Sequence, residues 1–226
     1  MSQLQLTIGQ YTSKGRKEIN QDFHDVRIPS EPLLSTKGIA IAMADGISSS
    51  KVSQEASQVS VSYFLEDYYS TSEAWTVKKS AQRVIQATNS WIYAQNRQNL
   101  YHLEKDRGYV CTFSAMVIKS RTAYIFHIGD IRIYRLRNGV LEQITEDHRT
   151  WISSEKSYLA RALGIDVDVR IDYETLDVEE GDMFLFMTDG VYEFMDYEWM
   201  IEKLYADDDT FDTKTKDIVE KAYADG

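Results

Sequence analysis

Leu4, Leu6 and Ile8 alternate with polar residues around Gln5–Gln10, which predicts a half-buried strand. Phe23–Ile28 reads as a second short strand, ended by a loop that holds both prolines, Pro29 and Pro32. Gly38–Ala44 is an almost unbroken apolar run, the pattern of a strand buried on both faces, and it stops at Asp45-Gly46. Over Lys51–Tyr69, the residues Val52, Ala56, Val59 and Tyr63 recur at helical spacing, and Ser48, Ser49 and Ser50 before them offer capping oxygens. A second long helix is predicted over Ser72–Asn99. Its stripe is Val77, Ala81, Val84, Thr88, Trp91 and Ile92, with Lys, Arg, Gln and Asn at outer positions.

After Gly108 the period turns to that of strands: Thr112–Ile118, Ala123–Ile128, Ile131–Leu136 and Val140–Ile144, with Asn138-Gly139 as a hairpin turn. Ser157–Leu163 reads as a short helix ended by Gly164. Val169–Leu176 and Met183–Thr188 read as strands, and Tyr197–Tyr205 and Lys214–Ala224 as helices. Strands, two long helices, more strands and then short helices fit one α+β domain rather than alternating βαβ units. No repeat of solenoid length is present.

Composition narrows the function. Of 226 residues, 43% are hydrophobic, enough for a sizeable core. Twenty-five Lys and Arg against 36 Asp and Glu leave a net charge of −11, which disfavours nucleic acid and anionic membrane surfaces as partners. The lone cysteine, Cys111, cannot form an internal disulfide, and it reads as a small buried hydrophobe. The first residues lack the pattern of a signal peptide, and no apolar run is long enough to span a bilayer. The expectation is a soluble, cytoplasmic domain. Such an acidic chain acts on anions where a bound cation inverts the local charge.

Three carboxylates stand at the ends of apolar runs: Asp45-Gly46, Asp189-Gly190 and Gly129-Asp130. Each alone reads as a turn. Together they read as desolvated carboxylates that share a cation, because no Lys or Arg precedes them in the apolar runs. The histidines, His24, His102, His127 and His148, are widely spaced, so no zinc pattern exists. Oxygen ligands alone point to Mg²⁺ or Mn²⁺. Asp22, in Lys-Glu-Ile-Asn-Gln-Asp, adds a fourth carboxylate, and Arg16 and Lys17 just before it are candidates to grip phosphate. His127 and His148 read as structural or surface residues, and Asp207–Asp209 as a solvated cap.

The ordered motifs KEINQD, MADG, IGD, TEDH, ARALG and MTDG resemble those of the metal-dependent protein serine/threonine phosphatases of type 2C, bacterial branch, from about Ile8 to Glu193. The resemblance implies a four-layer α-β-β-α sandwich, two antiparallel sheets flanked by helix pairs. It implies hydrolysis of phosphoserine and phosphothreonine in proteins by a metal-activated water at a binuclear centre. By the same resemblance, Asp45 bridges two ions, the Gly46 carbonyl binds one and Asp189 binds the other. Asp22 holds metal-bound water, and Asp130 with Asp189 binds a third, weaker ion. The partners implied are phosphorylated proteins, the substrates of a protein kinase that some bacterial members carry fused in the same chain.

Three departures stand out. Lys17 occupies the position of the family's phosphate-gripping Arg, and Lys is a point charge rather than a planar fork. Ile47 follows the first Asp-Gly, where animal members have His. The family's closing Asp-Asn motif and last strand do not occur within residues 1–226, so the expectation is a phosphatase domain without that strand and ligand. A phosphatase-like binding or regulatory module is the alternative this leaves. The charge disfavours a two-metal nuclease.

Overall fold

The computed structural model describes residues 5–98, 107–153, 156–207 and 209–226. In chain order the elements are β1 (Asp22–Arg27), α1 (Leu33–Lys37), β2 (Ile39–Asp45), α2 (Ser53–Ser70), α3 (Val77–Gln98), β3 (Phe113–Lys119), β4 (Thr122–Ile128), β5 (Arg132–Arg137) and β6 (Val140–Gln143). There follow β7 (Arg149–Ser153), β8 (Lys156–Leu159), β9 (Asp172–Asp177), β10 (Met183–Met187), α4 (Asp189–Tyr192), α5 (Tyr197–Tyr205) and α6 (Phe211–Asp225). One antiparallel sheet has the order β1-β2-β3-β4-β9 and a second β10-β5-β6, while β7 and β8 form a separate hairpin.

Strand alternation sorts the side chains into three apolar layers. Ala40, Ala42 and Ala44 of β2, with Phe113, Ala115 and Val117 of β3, face α2 and α3, where they meet Phe64, Leu65, Tyr68, Ile85 and Ile92. The opposite face of the same sheet presents Ile41, Met116, Ile118 and Ile125, which pack against Ile133, Phe184 and Phe186 of the second sheet. The outer face of that second sheet, with Tyr134, Leu136 and Met187, packs on Met200, Leu204 and Ile218 of α5 and α6. The result is the α-β-β-α sandwich, as expected.

The buried face of α2 is rotated from the predicted stripe. It consists of Ala56, Ser57, Ser60, Val61, Phe64 and Tyr68, while Tyr63 is exposed. Ser57 and Ser60 return their hydroxyl protons to the carbonyls of Ser53 and Ala56, at 3.2 and 2.7 Å. Satisfied in this way, small polar side chains let the helix sit close on the alanines of β2. Of the three predicted capping serines, Ser50 accepts the Val52 amide at 3.1 Å.

α3 starts at Val77, later than predicted, and Trp91 is exposed, edge-on to Tyr63. Two of its asparagines are not outer residues: Asn89 and Asn96 are buried. Asn96 accepts the Tyr109 amide at 2.7 Å and donates to the carbonyls of Tyr109 and Gly164. Asn89 accepts the Gly164 amide at 2.9 Å.

Two predicted elements are corrected. Residues 5–10 form no strand: Leu6 packs into the layer between the sheets, and the Gln10 amide bonds the Asp212 carboxylate of α6 rather than a strand. In place of a helix over Ser157–Leu163, Lys156–Leu159 pairs with Arg149–Ser153 as β8 with β7, and Leu163 bridges Cys111. The β-branched Thr150 and the aromatic Tyr158, paired across the hairpin, favour it. Leu4, Asn99, His102 and Asp208, which entered the sequence reading, lie outside the described residues.

Asn96→Ala removes three hydrogen bonds to the backbone of Tyr109 and Gly164. Unfolding in denaturant should show a loss of about 2–4 kcal/mol, with a fall in Tm of roughly 5–15 °C.

Candidate metal centre

The β1–β2 ladder sets Asp22 directly opposite Asp45. Since Ala40, Ala42 and Ala44 face α2, Asp45 projects with Ile41 toward the second sheet. The ladder therefore places two carboxylates side by side at one mouth of the sandwich. The two carboxyl groups lie within hydrogen-bonding reach of each other. From the other sheet, Thr188 at the end of β10 donates its hydroxyl to Asp22 Oδ2 at 3.2 Å, and Asp189 opens α4 beside it.

Glycine is required at two points of this frame. A Cβ on Gly46 would lie 2.8 Å from Ser53 atoms at the start of α2. Gly129 has φ +111°, and a Cβ there would lie 2.5 Å from Thr112. Thr112 in turn joins the two ends of the site, since its hydroxyl accepts the Asp45 amide at 3.2 Å. Gln21, which the sequence reading passed over, is buried. Its amide reaches Ile47 O, Ser50 O and Ser53 Oγ at 2.7–3.1 Å, and so ties the loop after Asp45 to β1.

Burial pushes the Asp45 carboxyl well above the usual range, and repulsion from Asp22 and Asp189 pushes it further. Burial also raises Asp22, against the pull of the Asp45 hydrogen bond and Lys17. Lys17 acts on both carboxylates, whereas Arg16 lies over the Tyr223 ring, 5.2 Å from its centroid. Lys17 thus faces the site, and Arg16 faces α6.

Among the described residues no group of three His, Cys, Asp or Glu side chains is gathered as a complete metal-ligand set. Asp22 and Asp45 touch, and the field of Asp189 reaches both. An oxygen-only donor pair, desolvated and crowded by like charge, has the chemistry that fits a hard divalent cation. Asp130 stands apart from this pair. Its carboxylate Oδ2 accepts Arg149 Nε–H at 2.7 Å.

Arg149 is the residue the sequence reading missed. It follows Thr-Glu-Asp-His directly, and that adjacency to a motif was the available signal. His148 holds it in place. The Gly129 amide donates to His148 Nδ1 at 3.0 Å, His148 Nε2–H donates to Asp172 at 2.8 Å, and the His148 amide returns to Gly129 O at 2.7 Å. His127 lies against this ring, with centroids 4.7 Å apart, accepting from Ser114 and donating to Glu146 O. Both histidines are therefore structural, as expected, and they brace the Gly129-Asp130 turn.

Comparison with protein-family profiles matches residues 11–223 to Protein phosphatase 2C. The chain belongs to the protein phosphatase 2C family. The general function of this family is metal-dependent dephosphorylation of phosphoproteins. The protein phosphatase 2C chain is 27% identical over 206 residues to the serine/threonine phosphatase stp of Listeria innocua, covering 82% of this chain and 79% of that protein. It is 26% identical over 199 residues to the serine/threonine protein phosphatase PstP of Mycobacterium tuberculosis, covering 79% of this chain and 37% of that protein. Among solved structures, the catalytic domain of PstP in complex with two manganese ions superposes with TM-score 0.72 at 24% identity, over 93% of this chain and 87% of that one. A bacterial serine phosphatase superposes with TM-score 0.78 at 17% identity, over 95% and 90%. No helix among the described residues of this phosphatase 2C chain is long and apolar enough to cross a membrane.

Burial holds His127 neutral and pushes its pKa down to about 4, with His148 adding to the effect. The unfolded chain takes up a proton near pH 6.5, and the folded chain resists it. His127 thus withdraws up to roughly 3 kcal/mol of stability as pH falls from about 6.5 to 4, and contributes it fully above that window. Unfolding free energies across this range should show a shallower slope for His127→Gln than for the unaltered chain.

Proposed function

We propose that this chain hydrolyses phosphoserine and phosphothreonine esters in proteins with two divalent ions held by Asp22, Asp45 and Asp189. The observation that carries this reading is the pairing of Asp22 with Asp45, with Asp189 delivered beside them from the second sheet. In the proposed arrangement Asp45 would help hold both ions, the Gly46 carbonyl would help hold one and Asp189 the other, and Asp22 would orient water. Mn²⁺ and Mg²⁺ both suit these oxygen donors. The two manganese ions in the PstP structure support the number. Bound ions would supply Lewis acidity and a water nucleophile at neutral pH.

The chain's own groups do the rest. Lys17, within electrostatic reach of Asp22 and Asp45, grips the phosphate. Thr188 fixes Asp22 by its hydrogen bond, so the carboxylate keeps its direction as charge shifts. The substrates are phosphoproteins made by a protein kinase, and the acidic surface of the domain favours phosphorylated segments that also carry basic residues.

Hydrolysis of a phosphothreonine peptide should require Mn²⁺ or Mg²⁺ and stop on chelation. Asp45→Asn should lower kcat on the order of 10³-fold, several kcal/mol of lost charge stabilisation, and Asp130→Asn by less than about tenfold. Turnover that survives exhaustive chelation, or equal losses in the two variants, would contradict the assignment.

Lys17→Ala should raise KM for the phosphopeptide about tenfold with kcat within about twofold, the signature of a charged contact made equally before and during reaction. Arg16→Ala should leave both constants near their starting values, because Arg16 is turned to Tyr223. The reverse pattern would transfer the phosphate grip to Arg16.

A further inference from the structure

Arg149 opens β7 and points into the acidic mouth of the sandwich. Its guanidinium donates from Nε to Asp130 Oδ2 at 2.7 Å, from Nη2 to Asp189 Oδ2 at 3.1 Å and from Nη1 to Glu193 Oε1 at 3.3 Å. Three carboxylates from three places meet on one side chain: the turn after β4, the start of α4 and the residue that ends α4. The Arg149 and Asp130 side chains are 17% and 11% exposed, so the pair is largely withdrawn from water.

An accessory ion shared by Asp130 and Asp189 would compete for these same oxygens. Mg²⁺ lies about 2.1 Å from an oxygen ligand, and an ion that close would press against the guanidinium hydrogens. Like charges so close, in a partly desolvated site, repel strongly. Arginine stays charged under all conditions in which the protein folds, so it does not yield by losing a proton. The donor set at Asp130 therefore does not fit a metal ion.

We propose that Arg149 is a built-in cation that takes the place of an accessory metal ion, leaving Asp130 without one. The inference rests on the reading of Asp22, Asp45 and Asp189 as the metal centre and deepens it. A guanidinium has no open coordination position, so Arg149 is a positioning residue. It neutralises the Asp130 carboxylate, 11% exposed, and makes a longer bond to one oxygen of the more open Asp189, 39% exposed, whose other oxygen stays available to the centre.

The test is to count bound Mn²⁺ by loss of the free-ion electron paramagnetic resonance signal, titrated into the millimolar range. In the unaltered chain, Asp130→Asn should leave the count unchanged. Arg149→Ala should gain one weak ion, and Asp130→Asn added to it should remove that ion. Arg149→Lys, which keeps the positive charge, should gain none. An ion lost on Asp130→Asn alone, or no ion gained by Arg149→Ala, would overturn the proposal. The binuclear reading is checked separately by Asp45→Asn, which should remove ions whichever residue stands at position 149.

Discussion

Asp22 faces Asp45 because the β1–β2 ladder pairs them, and that register is set by packing on the opposite face of the sheet. Ala40, Ala42 and Ala44 must turn toward α2, whose serine and alanine face approaches closely. A slip of one residue would send the alanines to the wrong side and Asp45 into the helix layer. An apolar constraint on one face thus places two carboxylates on the other. The position of the charges follows from where the smallest side chains are needed.

The second half of the site comes from a separate sheet, and few bonds join the halves. Thr188 reaches across to Asp22, and Arg149 reaches Asp130 and Asp189 together, while within the first sheet Thr112 packs on Gly129 and accepts the Asp45 amide. Burial raises both the Asp45 and the Asp22 carboxyls, and at Asp45 repulsion from Asp22 and Asp189 adds to it. The fold holds that repulsion because apolar layers lie on both sides of the sheet. Positive charge placed between the carboxylates would relieve it.

The layered architecture was legible in the sequence because strand alternation and long helical stripes survive as patterns of apolar residues. The Asp-Gly pairs were legible because a carboxylate at the end of an apolar run is costly to desolvate unless a cation meets it. What escaped was polar burial. Asn89 and Asn96 look like surface residues of a helix, and only the return of the chain at Tyr109 and Gly164 gives them partners. The α2 stripe was misplaced for the same reason, since Ser57 and Ser60 count as polar while packing as small core residues. In Ser157–Leu163 a single strand-favouring aromatic, Tyr158, is too weak a cue to reveal the partner strand. Beyond its place next to Thr-Glu-Asp-His, Arg149 shows its role only when Asp130, Asp189 and Glu193, distant in sequence, are brought to it.

Among the described residues, Met116, Ile125, Phe184 and Phe186 fill the space between the two sheets, and no backbone ladder joins one sheet to the other. The gap between Asp45 on one plate and Asp189 on the other is therefore gauged by the thickness of this apolar filling, as shims set the spacing of a jaw. A methylene added or removed there shifts one plate against the other, because a close-packed layer transmits volume changes rather than absorbing them. Substitutions that never meet a charged group can in this way retune the bite of the site.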